Sequence, residues 1–203
     1  MRSGFRLLTL TAIFSLWLLL SGCASGPPTR YYTLNAIPGS EKMDSSGSQT
    51  CVSLGIGPVK VPDYLDQAGI VTDLNANEYL VGEFSKWSEP LGMNISRILA
   101  KNLTSLVCTK IVSTFPWAGT LSLDYRIIVD VIRMDGVLGE NATLDASWMI
   151  YDGADRKKLL LAKMTHYKET FGGKGYEPYV AAQSRNVAAL SRDIAEAIKA
   201  LPR

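Results

Sequence analysis

The chain has 203 residues, 47% of them apolar, with 21 Lys+Arg against 19 Asp+Glu. That is enough for one domain with a real core and too little for two comfortable ones. Arg2 and Arg6 belong to an N-terminal leader, and without them the charges balance at 19 each, which excludes the clustered basic excess of a nucleic-acid-binding domain.

The leader runs from its two arginines through a mostly apolar stretch, Leu7 to Leu20, into Leu20-Ser21-Gly22-Cys23. The apolar run is too short for a comfortable membrane span, and its layout is that of a bacterial lipoprotein signal. Small residues before the cysteine let a peptidase seat the backbone while Cys23 Sγ takes a diacylglyceryl group. Cleavage then removes residues 1–22 and leaves Cys23 as the first residue, with its amine open to N-acylation. At about 0.8 kcal/mol per buried CH₂, several acyl chains hold far more firmly than one myristoyl group. The rival reading is an ordinary secretory signal cut near Ala24. Ala24, where an Asp would favour inner-membrane retention, points to the periplasmic face of the outer membrane. Cys51 and Cys108 are an even pair in an oxidising compartment and form a possible disulfide. Closing a loop of about 57 residues would stabilise by about 4 kcal/mol on the chain-entropy model. The alternative is two buried free thiols. One histidine and two distant cysteines give no metal-ligand spacing, so no cofactor is expected beyond the covalent lipid.

Residues 23–50 read as a lipidated tether, most flexible at Ser45-Ser46-Gly47-Ser48-Gln49. Tyr31-Tyr32-Thr33-Leu34 interrupts it as a β-prone piece suited to an edge strand, and pinning it would shorten the tether's reach. Residues 51–203 then form a single domain. Val52, Leu54, Ile56 and Val59 mark a strand whose Pro58 and Pro62 suggest a sheet edge or exit. Ile70-Val71-Thr72 and Tyr79-Leu80-Val81 are short strands around Asn75-Ala76-Asn77. From Ser88, read as an N-cap, the apolar spacing turns helical through Leu91, Ile95, Ile98, Leu99, Asn102, Leu103 and Leu106. Leu121 to Ile132 alternate strictly, and Leu144 to Ile150 alternate again after the Asp135-Gly136 turn. Leu159 to Thr170 follow Asp152-Gly153, which makes an antiparallel meander of three long strands. Val180, Val187, Leu190, Ile194, Ile198 and Leu201 then share one face of a final helix. The fold class is α+β, a mostly antiparallel sheet with two amphipathic helices packed on one face in a two-layer sandwich.

No catalytic constellation is present. His166 reads as a strand-surface residue, Asp124 and Asp130 as solvated carboxylates, and Gly55-Ile56-Gly57 lacks the third glycine of a dinucleotide fingerprint. Two segments look like contact surfaces. One is the turn Val61-Pro62-Asp63-Tyr64-Leu65-Asp66, with Tyr64 and Leu65 at its tip. The other is the glycine-rich loop Phe171 to Tyr179, with Phe171, Tyr176 and Tyr179 available to a partner. Each has a plainer alternative, a packed turn for the first and aromatics tucked onto the last helix for the second.

An ordered set of motifs carries a family likeness. Ile56-Gly57-Pro58-Val59, Pro62-Asp63-Tyr64-Leu65, Ile70-Val71-Thr72, Trp87-Ser88-Glu89-Pro90-Leu91, Arg97 to Leu103 and Phe115-Pro116-Trp117 resemble the PqiC-like (YmbA) auxiliary lipoproteins, as do the strands Tyr125 to Val131 and Ala142 to Trp148 and the helix at Asp193-Ile194-Ala195. The likeness spans nearly all of the domain. It implies a non-enzymatic, outer-membrane-anchored periplasmic lipoprotein that docks a periplasm-spanning MCE-domain protein of an intermembrane lipid-transport system. The competing readings are a lipid-binding carrier, which needs an apolar cavity, and an envelope structural lipoprotein without a transport role. Strands at sheet edges, with Pro58 and Pro62, and the aromatic loop also point to a homo-oligomer.

Overall fold

The computed structural model describes residues 26–38, 51–118 and 120–201. The leader, Cys23 and the Ser45–Gln49 run lie outside these residues. The elements are β1 (Arg30–Tyr32), β2 (Val52–Lys60), β3 (Gly69–Asn75), β4 (Glu78–Trp87), α1 (Leu91–Leu106), β5 (Thr109–Thr114), β6 (Tyr125–Asp135), β7 (Asn141–Asp152), β8 (Leu159–Thr170) and α2 (Tyr176–Ala200). The strands make a small sheet in the order β1-β4-β3 and a large one in the order β5-β2-β6-β7-β8. Both helices lie on one face of the large sheet, α1 over β2 and β5, α2 over β7 and β8. This is the expected α+β class, with a second, small sheet added at one end.

The meander β6-β7-β8 is antiparallel throughout, and its alternation places Ile127, Val129, Leu144, Ala146, Trp148 and Ile150 on the helix-facing side, each 0% exposed. On α1 the spacing Leu91, Ile95, Ile98, Leu99, Leu103 turns one stripe onto β2. Burial of such side chains contributes roughly 1.5–3 kcal/mol each. The space between sheet and helices is filled by large groups, Trp148 foremost.

Two local expectations need correction. Strand β2 is an inner strand, paired in parallel with β5 on one side and β6 on the other. Pro58 is tolerated because the β2–β6 ladder breaks between Ile56 and Val59, so its missing N–H falls at a bulge. Gly57 supplies the positive φ of 106° that this bulge requires. Helix α1 is capped at Pro90 without a side-chain bond, not at Ser88. Ser88 directly follows β4, and its N–H donates to Tyr32 O at 2.8 Å. The small sheet's β1 runs parallel to β4, pairing Arg30 with Ser85 and Tyr32 with Trp87.

Beyond β1 the chain stays on the domain. Residues 33–38 run extended along the α1–α2 seam, with Leu34 buried at 1% exposure. Their backbone is received by polar side chains set into the apolar helix faces. The Leu34 N–H donates to Asn94 Oδ1 at 3.3 Å, Asn35 to Ser184 Oγ at 3.1 Å and Ile37 to Asn102 Oδ1 at 2.9 Å. Asn102 Nδ2 in turn donates to Ser191 Oγ at 2.9 Å, linking the two helices beneath the strap. Asn94, Asn102 and Ser191 are 0% exposed, and such groups are costly without partners. The chain described from Gly26 to Pro38 is therefore part of the folded unit. Cys51 and Cys108 are joined by a disulfide, Cα atoms 4.6 Å apart, where β2 and β5 begin side by side.

A buried polar cluster fastens the small sheet to the large one. Asp135, at the end of β6, is 0% exposed and accepts bonds from the Arg133 guanidinium and, at 3.2 Å, from the Tyr64 hydroxyl. Arg133 Nη2 also meets Asp73 Oδ2 of β3 at 2.8 Å. From α2, Gln183 Nε2 donates to Asp135 O at 3.0 Å and to Thr143 O at 3.1 Å. Burial raises the Asp135 pKa above the usual carboxylate range, the nearby Asp73 charge adds to this, and Arg133 opposes both.

Two outcomes follow from these contacts. Asn102→Ala strips the acceptor from the Ile37 amide and the donor from Ser191, and should lower the urea midpoint by the equivalent of about 2 kcal/mol with the m-value unchanged. Arg133→Ala leaves Asp135 buried beside Asp73 without its cation and should cost about 2 kcal/mol at neutral pH. A carboxyl whose folded pKa is raised holds its proton longer folded than unfolded, so stability falls as pH rises through that interval. The Arg133→Ala deficit should accordingly shrink as pH falls through the raised Asp135 pKa, read from denaturation midpoints across a pH series. A deficit constant with pH would contradict the charge assignment.

Candidate functional site

The two segments singled out in the sequence converge on the small sheet. The turn after β2 is closed by the Leu65 N–H on Pro62 O at 2.9 Å. It stacks the Tyr64 ring on Tyr79 of β4, centroids 4.8 Å apart and planes 9° from parallel. At the start of α2, Tyr176 packs against Tyr32 of β1 at 6.3 Å and covers Gly82, where an added Cβ would sit 3.1 Å from the tyrosine ring. Gly82 is thus a close-approach glycine that lets α2 begin against β4.

Not all five proposed contact residues reach solvent. Leu65 is 2% exposed and Tyr179 is 1% exposed, so both are core. Tyr179 faces inward because α2 starts at Tyr176, and one turn later its position falls on the buried stripe. Its hydroxyl donates to Val71 O at 3.3 Å and accepts from Gln183 Nε2 at 3.1 Å. Tyr64, Phe171 and Tyr176 are half-buried. Phe171 meets the Tyr179 ring edge-on at 6.1 Å, so the aromatics of the glycine-rich loop are tucked onto α2 while Gly172, Gly173 and Lys174 stay exposed. Burial pushes the Tyr64, Tyr176 and Tyr179 hydroxyls above the usual phenol range, with Asp135 adding to the effect at Tyr64. They act here as neutral hydrogen-bonding aromatics.

The sequence reading missed the largest cluster of exposed apolar side chains, which lies on the β3–β4 hairpin beside these segments. Leu74 is 56% exposed, Tyr79 50%, Leu80 45% and Val81 44%, with Tyr31 of β1 at 67%. The signal was present: three consecutive apolar residues in one strand face both sides of it, and a sheet with one covered face buries only alternate ones.

Elsewhere, His166 is exposed on the helix-free face of the large sheet and pairs with Asp145 across β7–β8. Among the described residues there is no cluster of His, Cys, Asp and Glu able to hold a metal, and no helix long and apolar enough to cross a membrane. An open groove of about 480 Å³ lies between Asn35–Pro38 and α2, floored by Ala181, Ala188 and Ala189 and crossed by the Arg185–Glu169 ion pair.

A family model described as the ABC-type transport auxiliary lipoprotein component matches residues 32–195, from β1 into the last turns of α2. The intermembrane transport lipoprotein PqiC of Escherichia coli (strain K12) is 25% identical over 199 residues, covering 95% of this chain and 98% of PqiC. PqiC of Shigella flexneri matches to the same extent. A crystal structure of an uncharacterized protein shares the fold at TM-score 0.69 and 21% identity, over 85% of this chain and 99% of that one. A crystal structure of a Xanthomonas campestris protein does so at TM-score 0.66 and 13% identity, over 82% and 93%. With the family pattern covering the strap, both sheets and both helices, the chain belongs to the ABC-type transport auxiliary lipoprotein family.

Proposed function

We propose that this lipoprotein is anchored through Cys23 in the outer membrane, facing the periplasm, and docks a periplasm-spanning MCE-domain protein of an intermembrane lipid-transport system. The near full-length similarity to an intermembrane transport lipoprotein carries the reading. The filled interior supports docking over lipid carriage, because Trp148, Leu144 and Ile127 occupy the space between sheet and helices that acyl chains would need. A permanent anchor confines the contact surface near one membrane, which raises its effective concentration for a long partner without high intrinsic affinity.

The contact surface of this proposal is the aromatic rim of the small sheet, Tyr64, Phe171 and Tyr176, with Leu65 and Tyr179 holding it from beneath. Self-association is part of the same reading. Its routes are the free edges of the large sheet, β5 and β8, since β2 with Pro58 lies inside.

The test is cross-linking in intact cells from a photoreactive residue at Tyr176, with one at Ala154 on the β7–β8 turn as the distant control, followed by purification and mass spectrometry. An MCE-domain protein recovered from position 176 and not from 154 is the expected result, and the mass of self-linked species reads the oligomer. Recovery of cell-wall components alone, or of equal amounts from both positions, would contradict docking through this rim.

A further inference from the structure

The hairpin β3–β4 and β1 form an apolar edge that the rest of the domain covers only in part, Tyr64 stacking on one face of Tyr79, and the path of the chain indicates what lies against it. Strand β1 runs parallel to β4 and pairs only with its last residues, Ser85 to Trp87. Going backward from Arg30, the chain therefore travels toward the hairpin end of β4, and Gly26 is found against the Phe84 ring, 3.8 Å from an added Cβ. Only Ala24 and Ser25 separate Gly26 from Cys23, and three Cα–Cα steps span at most about 11 Å. Phe84 is itself three residues from Val81 in the same strand. Cys23 is thus joined by a short stretch of chain to the part of the small sheet that carries Tyr79, Leu80 and Val81.

We propose that this edge rests in the headgroup layer of the membrane that holds the Cys23 acyl chains, so that the domain is docked on the bilayer in one orientation by Tyr31, Leu74, Tyr79, Leu80 and Val81. The inference rests on the lipid-anchor reading given above. Its chemistry suits an interface. Leu80 and Leu74 lie on one strand face and Tyr79 and Val81 on the other, an arrangement that a flat protein partner covers poorly and an edge-on wedge into a fluid layer covers on both sides. The two exposed tyrosines have the amphipathic build favoured at headgroup level. Arg30 is exposed at the start of β1, within reach of lipid phosphates. The part of β4 before Ser85 has no β1 partner for its outward backbone groups, which the hydrated headgroup layer can satisfy and the hydrocarbon core cannot. Among the described residues, the other large exposed apolar side chains, such as Met93, Ile132 and Met164, belong to other elements and are not consecutive in a strand.

The test uses the full-length lipidated protein reconstituted into phosphatidylethanolamine–phosphatidylglycerol vesicles. With Cys51 and Cys108 bonded and Cys23 acylated, an added cysteine can be labelled alone. Leu80→Cys and, as control, Ala154→Cys each carry an environment-sensitive fluorophore, and lipids spin-labelled near the headgroup serve as quencher. The expected result is blue-shifted emission at position 80, quenched severalfold more strongly than at position 154. Protein that floats with the vesicles while position 80 stays unquenched overturns this proposal and leaves the anchor intact. Protein that fails to float overturns the anchor and the proposal together. Blue-shifted emission at position 80 without lipid quenching would assign the edge to a second copy or a protein partner and would also overturn it. Each labelled variant is first matched to the parent in thermal midpoint, since Leu80 is partly exposed and its replacement should leave the fold unchanged.

Discussion

An extended strap between two helices is the contact on which the organisation of this lipoprotein depends. The backbone of residues 34–37 has no strand partner there, and side chains of Asn94, Asn102 and Ser184 satisfy its amides from inside otherwise apolar helix faces. Leu34 seals the same seam. Neither half works alone: Asn102 without the strap would have a buried Oδ1 with no donor, and the strap without Asn94 and Asn102 would leave the Leu34 and Ile37 amides dry. The arrangement fixes the segment that leads from Pro38 back to β1 on the domain. It turns a stretch that composition marks as a loose linker into the element that sets orientation.

Orientation matters because the small sheet carries the surfaces of interest together. The turn with Tyr64, the start of α2 with Tyr176 and the bare hairpin edge all gather around β4. The Arg133–Asp135–Asp73 cluster and Gln183 lock that sheet to the large one. Under the proposed anchor, a rigid connection of this kind would let attachment ahead of β1 position the rim relative to the bilayer. In the proposed docking role, a partner arriving along the membrane normal would then meet the aromatic rim next to the lipid surface. The large sheet and helices serve as ballast with a filled core.

Much of this was legible in the sequence, for identifiable reasons. The meander β6-β7-β8 announced itself because strict alternation and Asp-Gly turns coincide, and both helices followed from apolar residues recurring at 3.6-residue spacing. Strand β5 was not legible, since Thr109–Thr114 is short, partly exposed and lacks alternation. Pro58 argued for an edge because proline cannot donate to a ladder, and only the bulge shows how an inner strand accommodates it. The strap was half visible in Tyr31 to Leu34. A stronger clue was Asn102, an amide on the apolar stripe of α1 that must have a buried partner. Tyr179 and Leu65 were misplaced at the surface because a loop's aromatic content does not tell which ring faces inward; that depends on where α2 begins.

Amide hydrogen exchange of the native, anchored protein, resolved at Leu34, Asn35 and Ile37, tests the clamp most directly. If the strap is an integral element, these amides exchange as slowly as the core of α1 and open only with it. Exchange as fast as in the exposed Gly172–Lys174 loop would mean that the segment is a tether after all, and the orientation built on it would fall.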